Sequence, residues 1–121
     1  MRTKSPIIAS MLTVMLLGSW VAAQGEGGRP RNGQAIYDEY CFRCHGINGQ
    51  GDGPESGRLI VPPANLQSPR SRAKTDFELL TIVSYGLAFS PMHGFRGRMT
   101  DDEILEVIDY IRTMAPFLPL T

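Results

Sequence analysis

Basic residues do not outnumber acidic ones in this chain, which has 12 lysines and arginines against 12 aspartates and glutamates. A nucleic-acid-binding surface needs a clear basic excess and is therefore not expected. Lysine itself is scarce, since Lys74 is the only one after Lys4, and docking through a ring of lysines is not expected either. The chain has no internal repeat and no convincing run of alternating apolar and polar residues, so neither a repeat architecture nor a sheet is indicated.

The first 23 residues have the three parts of a secretory signal. Arg2 and Lys4 precede an apolar run at 7–21, and the small residues from Val21 to Ala23 follow. This order predicts cleavage after Ala23 and export to a bacterial periplasm. The alternative is an uncleaved membrane anchor, because an apolar run of about 17 residues is near the lower limit for spanning a bilayer. The small residues before the cleavage position favour a signal peptide.

The rest of the chain is long enough for one small domain, predicted at 32–115. Residues 24–31 are rich in glycine and arginine and are expected to be a flexible lead-in, with a C-terminal tail at 116–121. Glycine and proline are frequent at 46–69, where no helical period is visible. Because structureless segments of that length are rare in compact domains, a long ordered loop is expected there.

Three helices have clear sequence signals, which together predict an all-α fold. The first is predicted from Asn32, a good N-cap, to about residue 43. The second, at 76–85, ends before Gly86, and the third stops before Pro116; each begins with the capping-box pattern Thr-x-x-Glu. The third helix has acidic residues in its first turn, which oppose the positive end of the helix dipole. Its apolar stripe consists of Ile104, Val107, Ile108 and Ile111.

The only two cysteines lie three residues apart and are followed at once by a histidine, in the sequence Cys41-Phe42-Arg43-Cys44-His45. Two sulfurs on one face of a helix end can bond to the two vinyl groups on one edge of a haem, and the adjacent imidazole then meets the iron. The motif predicts one covalently bound haem c, with thioethers at Cys41 and Cys44 and His45 as an axial ligand.

Three other interpretations of the cysteine pair remain open at this point. A redox-active pair would need a βαβ pattern around it, which the sequence does not show. A zinc site could use Cys41, Cys44, His45 and His93, although the spacing differs from that of zinc ribbons. A disulfide between Cys41 and Cys44 would close a loop too short to add much stability.

The sixth ligand of a haem iron used for electron transfer is commonly a thioether, which raises the reduction potential. Met92 is the best candidate, because it lies in a loop bounded by Gly86 and Pro91 between the second and third helices. His93 would instead give a bis-histidine site of lower potential, and Met99 or an open position are further alternatives. Met114 is expected to be a gap-filling core residue.

These residues resemble the class I cytochrome c family over about 32–115. The resemblance rests on the attachment motif followed by Gly46, on Gly49-Gln50-Gly51-Asp52-Gly53-Pro54, on Pro62-Pro63-Ala64-Asn65-Leu66, on Gly86 with Pro91-Met92-His93-Gly94-Phe95, and on Asp109-Tyr110-Ile111. One departure is His93, because the ligand methionine of the family is commonly followed by proline.

The family resemblance implies a compact fold of about three to four helices and long loops around one haem. It implies that the first and last helices cross, with Gly33 and Tyr37 against Val107 and Tyr110. It also implies that a proline carbonyl, Pro63 or Pro62, accepts a hydrogen bond from Nδ1–H of His45 and so orients the ligand.

With both axial positions filled, the predicted function is single-electron transfer and not enzymatic catalysis. Expected partners are redox proteins: a donor dehydrogenase or membrane complex, and an acceptor oxidase or reductase. A monomer with small, transient interfaces fits this function, with membrane attachment only if the N-terminal segment is retained. The alternative is a haem enzyme or a sensor of peroxide or a small gas, with an open sixth iron position.

Overall fold

The computed structural model describes residues 31–120, whose regular secondary structure is helical. The predicted signal peptide and nearly all of the lead-in lie outside the described residues. In chain order, the elements are α1 (Gly33–Tyr40), α2 (Phe42–His45), a 3-10 turn (Ser56–Arg58), α3 (Pro69–Arg72), α4 (Asp76–Tyr85) and α5 (Asp101–Met114). Within this part of the chain there is no strand, only an isolated bridge between Gly86 and His93, and none of its helices is long and apolar enough to cross a membrane. The predicted all-α class is confirmed.

The first predicted helix is present but interrupted. Asn32 caps α1, and its side-chain oxygen accepts from the backbone N–H of Ala35 at 2.8 Å. At Cys41, φ changes to −111°, which turns the chain before α2 begins. The carbonyl of Cys41 then accepts from the backbone N–H groups of both Cys44 and His45, at 3.2 and 2.9 Å. The attachment motif is therefore a separate tight turn of helix.

Both predicted capping boxes are confirmed. At the start of α4, the backbone N–H of Thr75 donates to Glu78 at 2.7 Å, and that of Glu78 donates to the Thr75 hydroxyl at 3.2 Å. Thr100 and Glu103 repeat this exchange at 2.9 and 3.2 Å before α5. In each pair, the backbone hydrogen bond is the main cause that lowers the pKa of the glutamate. The helix α4 ends at Gly86, as predicted.

The core lies where α1 crosses α5. The predicted stripe of α5 is buried there together with Ile36 and Tyr37 of α1. The helices meet most closely at Gly33, where a Cβ would lie only 1.9 Å from the carbonyl oxygen of Glu106 and 2.8 Å from Cβ of Tyr110. The rings of Tyr37 and Tyr110 are 5.4 Å apart. The predicted crossing of the first and last helices is confirmed.

The long segment between α2 and α3 is ordered by hydrogen bonds, as expected. The backbone N–H of Leu66 donates to the carbonyl of Gly49 at 2.7 Å, and the side-chain amide of Gln67 donates to the carbonyl of Asn48 at 2.7 Å. The C-terminal tail is also held, because the N–H of Leu118 donates to the carbonyl of Arg72 at 3.0 Å. These bonds fix the segments that surround the cavity described below.

Gly33→Ala tests the close helix crossing. A methyl group cannot enter between α1 and the Glu106 carbonyl without separating the helices, so we expect the free energy of unfolding to fall by about 1–3 kcal/mol. Denaturant titration followed by circular dichroism measures this change. Gly57→Ala is the matched control, because no heavy atom lies within 4 Å of a Cβ there. Equal effects of the two substitutions would contradict the crossing.

Candidate haem site

A cavity of about 340 Å³ lies beside the core. Its walls come from α1 and α2, from 59–66, from α4, from the loop after it, and from the end of α5. Most of the lining is apolar, with Leu59, Val61, Leu66, Leu79, Ile82, Val83, Leu87, Phe95 and Ile111 among its side chains. The few polar groups are therefore the ones that would define what the cavity binds.

Cys41 and Cys44 are free thiols, half-buried, and both line this cavity. Burial raises the pKa of the Cys41 thiol to about 12, with the neighbouring Cys44 contributing in the same direction, so the thiol is neutral at pH 7. Arg43, between them, is exposed and pairs with Glu55. The turn at Cys41 thus directs the two sulfurs to the cavity and the intervening charge to solvent.

His45 also lines the cavity, and one hydrogen bond orients its ring. Its Nδ1 lies 3.1 Å from the carbonyl oxygen of Ala64. Because a carbonyl only accepts, this bond requires the hydrogen on Nδ1 and leaves the Nε2 lone pair free for a metal. Burial lowers the pKa of His45 and outweighs the opposing effect of the Ala64 bond. The neutral imidazole needed for metal binding is therefore favoured.

The family resemblance implied that the carbonyl of Pro63 or Pro62 accepts the hydrogen bond from His45. This prediction is wrong by one or two residues, because the acceptor is the carbonyl of Ala64. The carbonyl oxygen of Pro63 lies against Gly51 instead. A Cβ atom added at Gly51 would be only 2.6 Å from that oxygen, so no larger side chain fits there. Gly51 has φ +81°, and its N–H donates to the carbonyl of His45 at 2.8 Å. The segment therefore packs with the Pro63 carbonyl on Gly51 and with the Ala64 carbonyl on His45.

The sixth-ligand candidates differ clearly in position. Met92 is half-buried and lines the cavity, and its loop is closed by hydrogen bonds from Leu87 N–H to the Met92 carbonyl at 2.8 Å and from Met92 N–H to the Ser90 hydroxyl at 3.2 Å. His93 lines the cavity as well but is exposed; its ring packs 4.5 Å from that of Phe95. Met99 is buried in the core and is not part of the lining.

The structure does not support the zinc interpretation. Among residues 31–120, no three His, Cys, Asp or Glu side chains gather as a group that could hold a metal ion. Cys41, Cys44, His45 and His93 share one large cavity instead. A structural zinc site needs its ligands in tight tetrahedral contact, which this arrangement does not provide.

The cavity suits a haem, which is a flat, largely apolar ring with two carboxylates. Lys74 and Arg112 are in the lining, whereas no aspartate or glutamate is. Arg112 is anchored by Asp76 at 2.8 Å and by the carbonyl of Lys74 at 2.5 Å. The sequence did not point to these cations, because α3, α4 and α5 bring them to the cavity from distant positions.

A buried hydrogen bond follows the attachment turn. The hydroxyl of Tyr37 donates to the carbonyl of Gly46 at 2.7 Å. Burial is the main cause that raises the pKa of this phenol, which stays protonated as a donor. The bond ties the residue after His45 to the middle of α1. The sequence indicated the burial of Tyr37 but not this partner.

Comparison with known proteins places the chain among haem proteins. Residues 28–111 match a family model described as cytochrome c oxidase, cbb3-type, subunit III. A comparison with curated protein sequences found no match.

Similar solved structures include a chain of the Kuenenia stuttgartiensis reducing HAO-like protein complex Kustc0457/Kustc0458, at 25% identity and a TM-score of 0.64 over 75% of this chain and 48% of that one. The KustC0563 c-type cytochrome has 19% identity and a TM-score of 0.59, and the match covers 70% of this chain and 99% of that one. Dihydro-heme d1 dehydrogenase NirN in complex with DHE has 26% identity and a TM-score of 0.53, and the match covers 73% of this chain and 17% of that one. The chain thus spans about half of the first of these. The similarity confirms the compact cytochrome c fold.

Tyr37→Phe tests the bond behind the attachment turn. Without the hydroxyl, the Gly46 carbonyl keeps only the N–H of Gly49 as a donor, and we expect the free energy of unfolding to fall by about 1 kcal/mol. Thermal or denaturant unfolding measures the change. Tyr85→Phe, on an exposed ring, is the control and should stay within about 0.5 kcal/mol of the parent. If both variants matched the parent, the Tyr37 bond would not hold the turn.

Proposed function

Because the chain belongs to the family of cytochrome c domains described as cytochrome c oxidase, cbb3-type, subunit III, we propose that it is a single-electron carrier with one covalent haem c. Haem-based electron transfer is the general function that this family and the similar structures support.

The observation that carries the proposal is the shared cavity of two thiols, the imidazoles of His45 and His93, and the thioether of Met92. Cys41 and Cys44, which both line the cavity, would add their S–H groups across the two vinyl groups of a haem, with each hydrogen passing to the vinyl carbon that does not bind sulfur. This addition needs no oxidant. The bound group supplies an iron that takes up and releases one electron.

His45 and Met92 are the proposed axial ligands. His45 offers Nε2, since Nδ1 is engaged by Ala64, and Met92 offers a sulfur from a loop closed by its own hydrogen bonds. His93 is a weaker candidate, because it is exposed, packs on Phe95 and has Nε2 at 3.3 Å from Arg98. Two strong ligands leave no position for a substrate, so the protein transfers electrons and is not an enzyme.

We further propose that the protein is exported and works in a periplasm, where its partners are other redox proteins. The similar chain from Kuenenia stuttgartiensis is part of a redox complex, which supports partners of this class. A dehydrogenase or membrane complex would donate the electron, and an oxidase or reductase would accept it. The described domain fits either a free carrier or a fixed subunit.

Intact mass and visible spectra of protein from a host that matures c-type cytochromes test the proposal. We expect the mass of one haem added to the chain lacking residues 1–23, with thioether-linked haem that resists acid extraction. Colourless exported protein with both thiols open to alkylation would refute the carrier function. High-spin features in the oxidised parent spectrum would favour the open-site enzyme or sensor.

Met92→Ala tests the sixth ligand. Loss of the sulfur should convert the oxidised iron to a high-spin form and lower the reduction potential, because the thioether favours ferrous iron. Potentiometry and visible spectra measure both changes. Met99→Leu is the control, since Met99 is buried away from the cavity and a leucine keeps its volume. An unchanged spectrum in Met92→Ala would remove Met92 from the site, and a further His93→Ala variant would then test the bis-histidine alternative.

Replacing both Cys41 and Cys44 by alanine tests how far the fold depends on the haem. Without the haem, the apolar walls of the cavity would be exposed to water and would lose packing that a domain of this size cannot replace. The stability of a native domain is only about 5–15 kcal/mol, so most helical circular dichroism should be lost. An apoprotein with the helical content of the parent would contradict this expectation.

A further inference from the structure

Two exposed apolar side chains stand beside the cavity. Ile60 is 99% exposed, and its neighbours Leu59 and Val61 both line the cavity. Phe89 is 103% exposed, and it lies between Leu87 and Ser90, which also line it. Fully exposed large apolar groups gain nothing from the fold of their own chain. Their position at the border of the cofactor cavity suggests a contact made with another molecule.

Phe89 also has an unfavourable backbone conformation. Its φ is +60°, a left-handed conformation that is rare and strained for a bulky residue. Its side chain has no contact that would offset this strain, since it is fully exposed. Strain of this kind is often found at binding sites, where the partner supplies the compensating contact.

Charge is strongly segregated around these two positions. The segments 57–75 and 79–100 carry six basic residues and no acidic one: Arg58, Arg70, Arg72, Lys74, Arg96 and Arg98. The remaining described residues carry three basic and eleven acidic side chains. The two segments that contain Ile60 and Phe89 are therefore basic, although acidic and basic residues are equal in number over the whole chain.

The basic segments include part of the border of the cavity. Arg98 contacts the cavity-lining His93, and Arg58 directly precedes Leu59, which lines the cavity. The acidic residues are on α1, on the loop after α2, at the start of α4 and on α5; none of them lines the cavity, and Asp76 bonds to Arg112, which does. An approaching molecule with negative charge would thus be attracted to the side that holds the cofactor.

We propose that 58–61 and 87–91 form the docking surface for an acidic redox protein with an apolar centre. This inference rests on the proposed function. Ile60 and Phe89 would fill the apolar centre of the contact, and arginines such as Arg58 and Arg98 would face carboxylates at its rim. Charged rims guide association, and small apolar centres allow the rapid release that an electron carrier needs.

An anionic membrane is a competing occupant of such a surface. Peripheral membrane binding commonly uses an amphipathic helix with lysine and arginine on its polar face. Here both apolar side chains belong to segments outside the helices. Electron transfer also requires a redox centre beside the cavity, which a protein partner supplies. These observations favour a protein.

Stopped-flow oxidation of the ferrous holoprotein by two small reagents tests the charge. Ferricyanide is anionic and tris(phenanthroline)cobalt(III) is cationic, and each accepts one electron from the haem iron. Between about 10 and 500 mM ionic strength, the ferricyanide rate should fall and the cobalt rate should rise, although the described chain has more acidic than basic residues.

Arg58→Gln should lower the ferricyanide rate at low salt by about three-fold. Gln34→Glu, which changes the charge equally on the exposed side of α1, should alter the rate by less than about 1.5-fold. A ferricyanide rate that rises with salt, or equal effects of the two variants, would overturn the docking surface while leaving the carrier function intact. Failure of both reagents to oxidise the iron would refute the carrier function as well.

An oxidised cupredoxin with an acidic rim around an apolar patch tests the apolar centre. Phe89→Ser should slow electron transfer to it by about five-fold and leave the ferricyanide rate unchanged. Phe77→Ser, at an exposed ring on α4, is the control and should have no effect. Equal effects of both variants, or Phe89-dependent binding to phosphatidylserine vesicles without an effect on the cupredoxin rate, would overturn the proposal and, in the second case, assign the surface to lipid.

Discussion

The close crossing of α1 and α5 at Gly33 positions everything that surrounds the cavity. Because no side chain separates the backbones there, Tyr37 packs one turn later against Tyr110, and its hydroxyl reaches the carbonyl of Gly46. That bond fixes the chain one residue after His45. The position of the proposed iron ligand therefore depends on a contact between the two ends of the domain, and not only on the short helix that contains it.

A second set of contacts fixes the direction in which His45 points. The loop after the attachment turn folds back, so that Gly51 bonds to the His45 carbonyl and lies against Pro63, and Ala64 meets the imidazole. Backbone carbonyls are rigid acceptors, and they orient a ligand without adding charge to the site. Burial lowers the pKa of His45 despite the opposing effect of the Ala64 bond. The imidazole is thus ready for a metal at neutral pH.

Local signals in the sequence were sufficient for the features that depend on neighbouring residues. The cap at Asn32 and the capping boxes at Thr75 and Thr100 were predictable because each is complete within four residues. The break at Cys41 was not, since no glycine or proline marks it. The choice of Ala64 over Pro63 depends on which carbonyl faces the imidazole after the loop has packed, and residue type carries no information about that.

The distribution of charge illustrates what composition conceals. Equal totals of acidic and basic residues suggest a featureless surface, yet the segments 57–75 and 79–100, which supply much of the cavity lining, carry six basic residues and no acidic one. The border of the cavity beside these segments is therefore more basic than the chain as a whole. Local charge of this kind orients a partner before contact, which matters for the proposed carrier because only encounters at the cavity side transfer an electron. Scarcity of lysine therefore does not imply an absence of electrostatic steering, since the arginines of two distant segments can supply the same field.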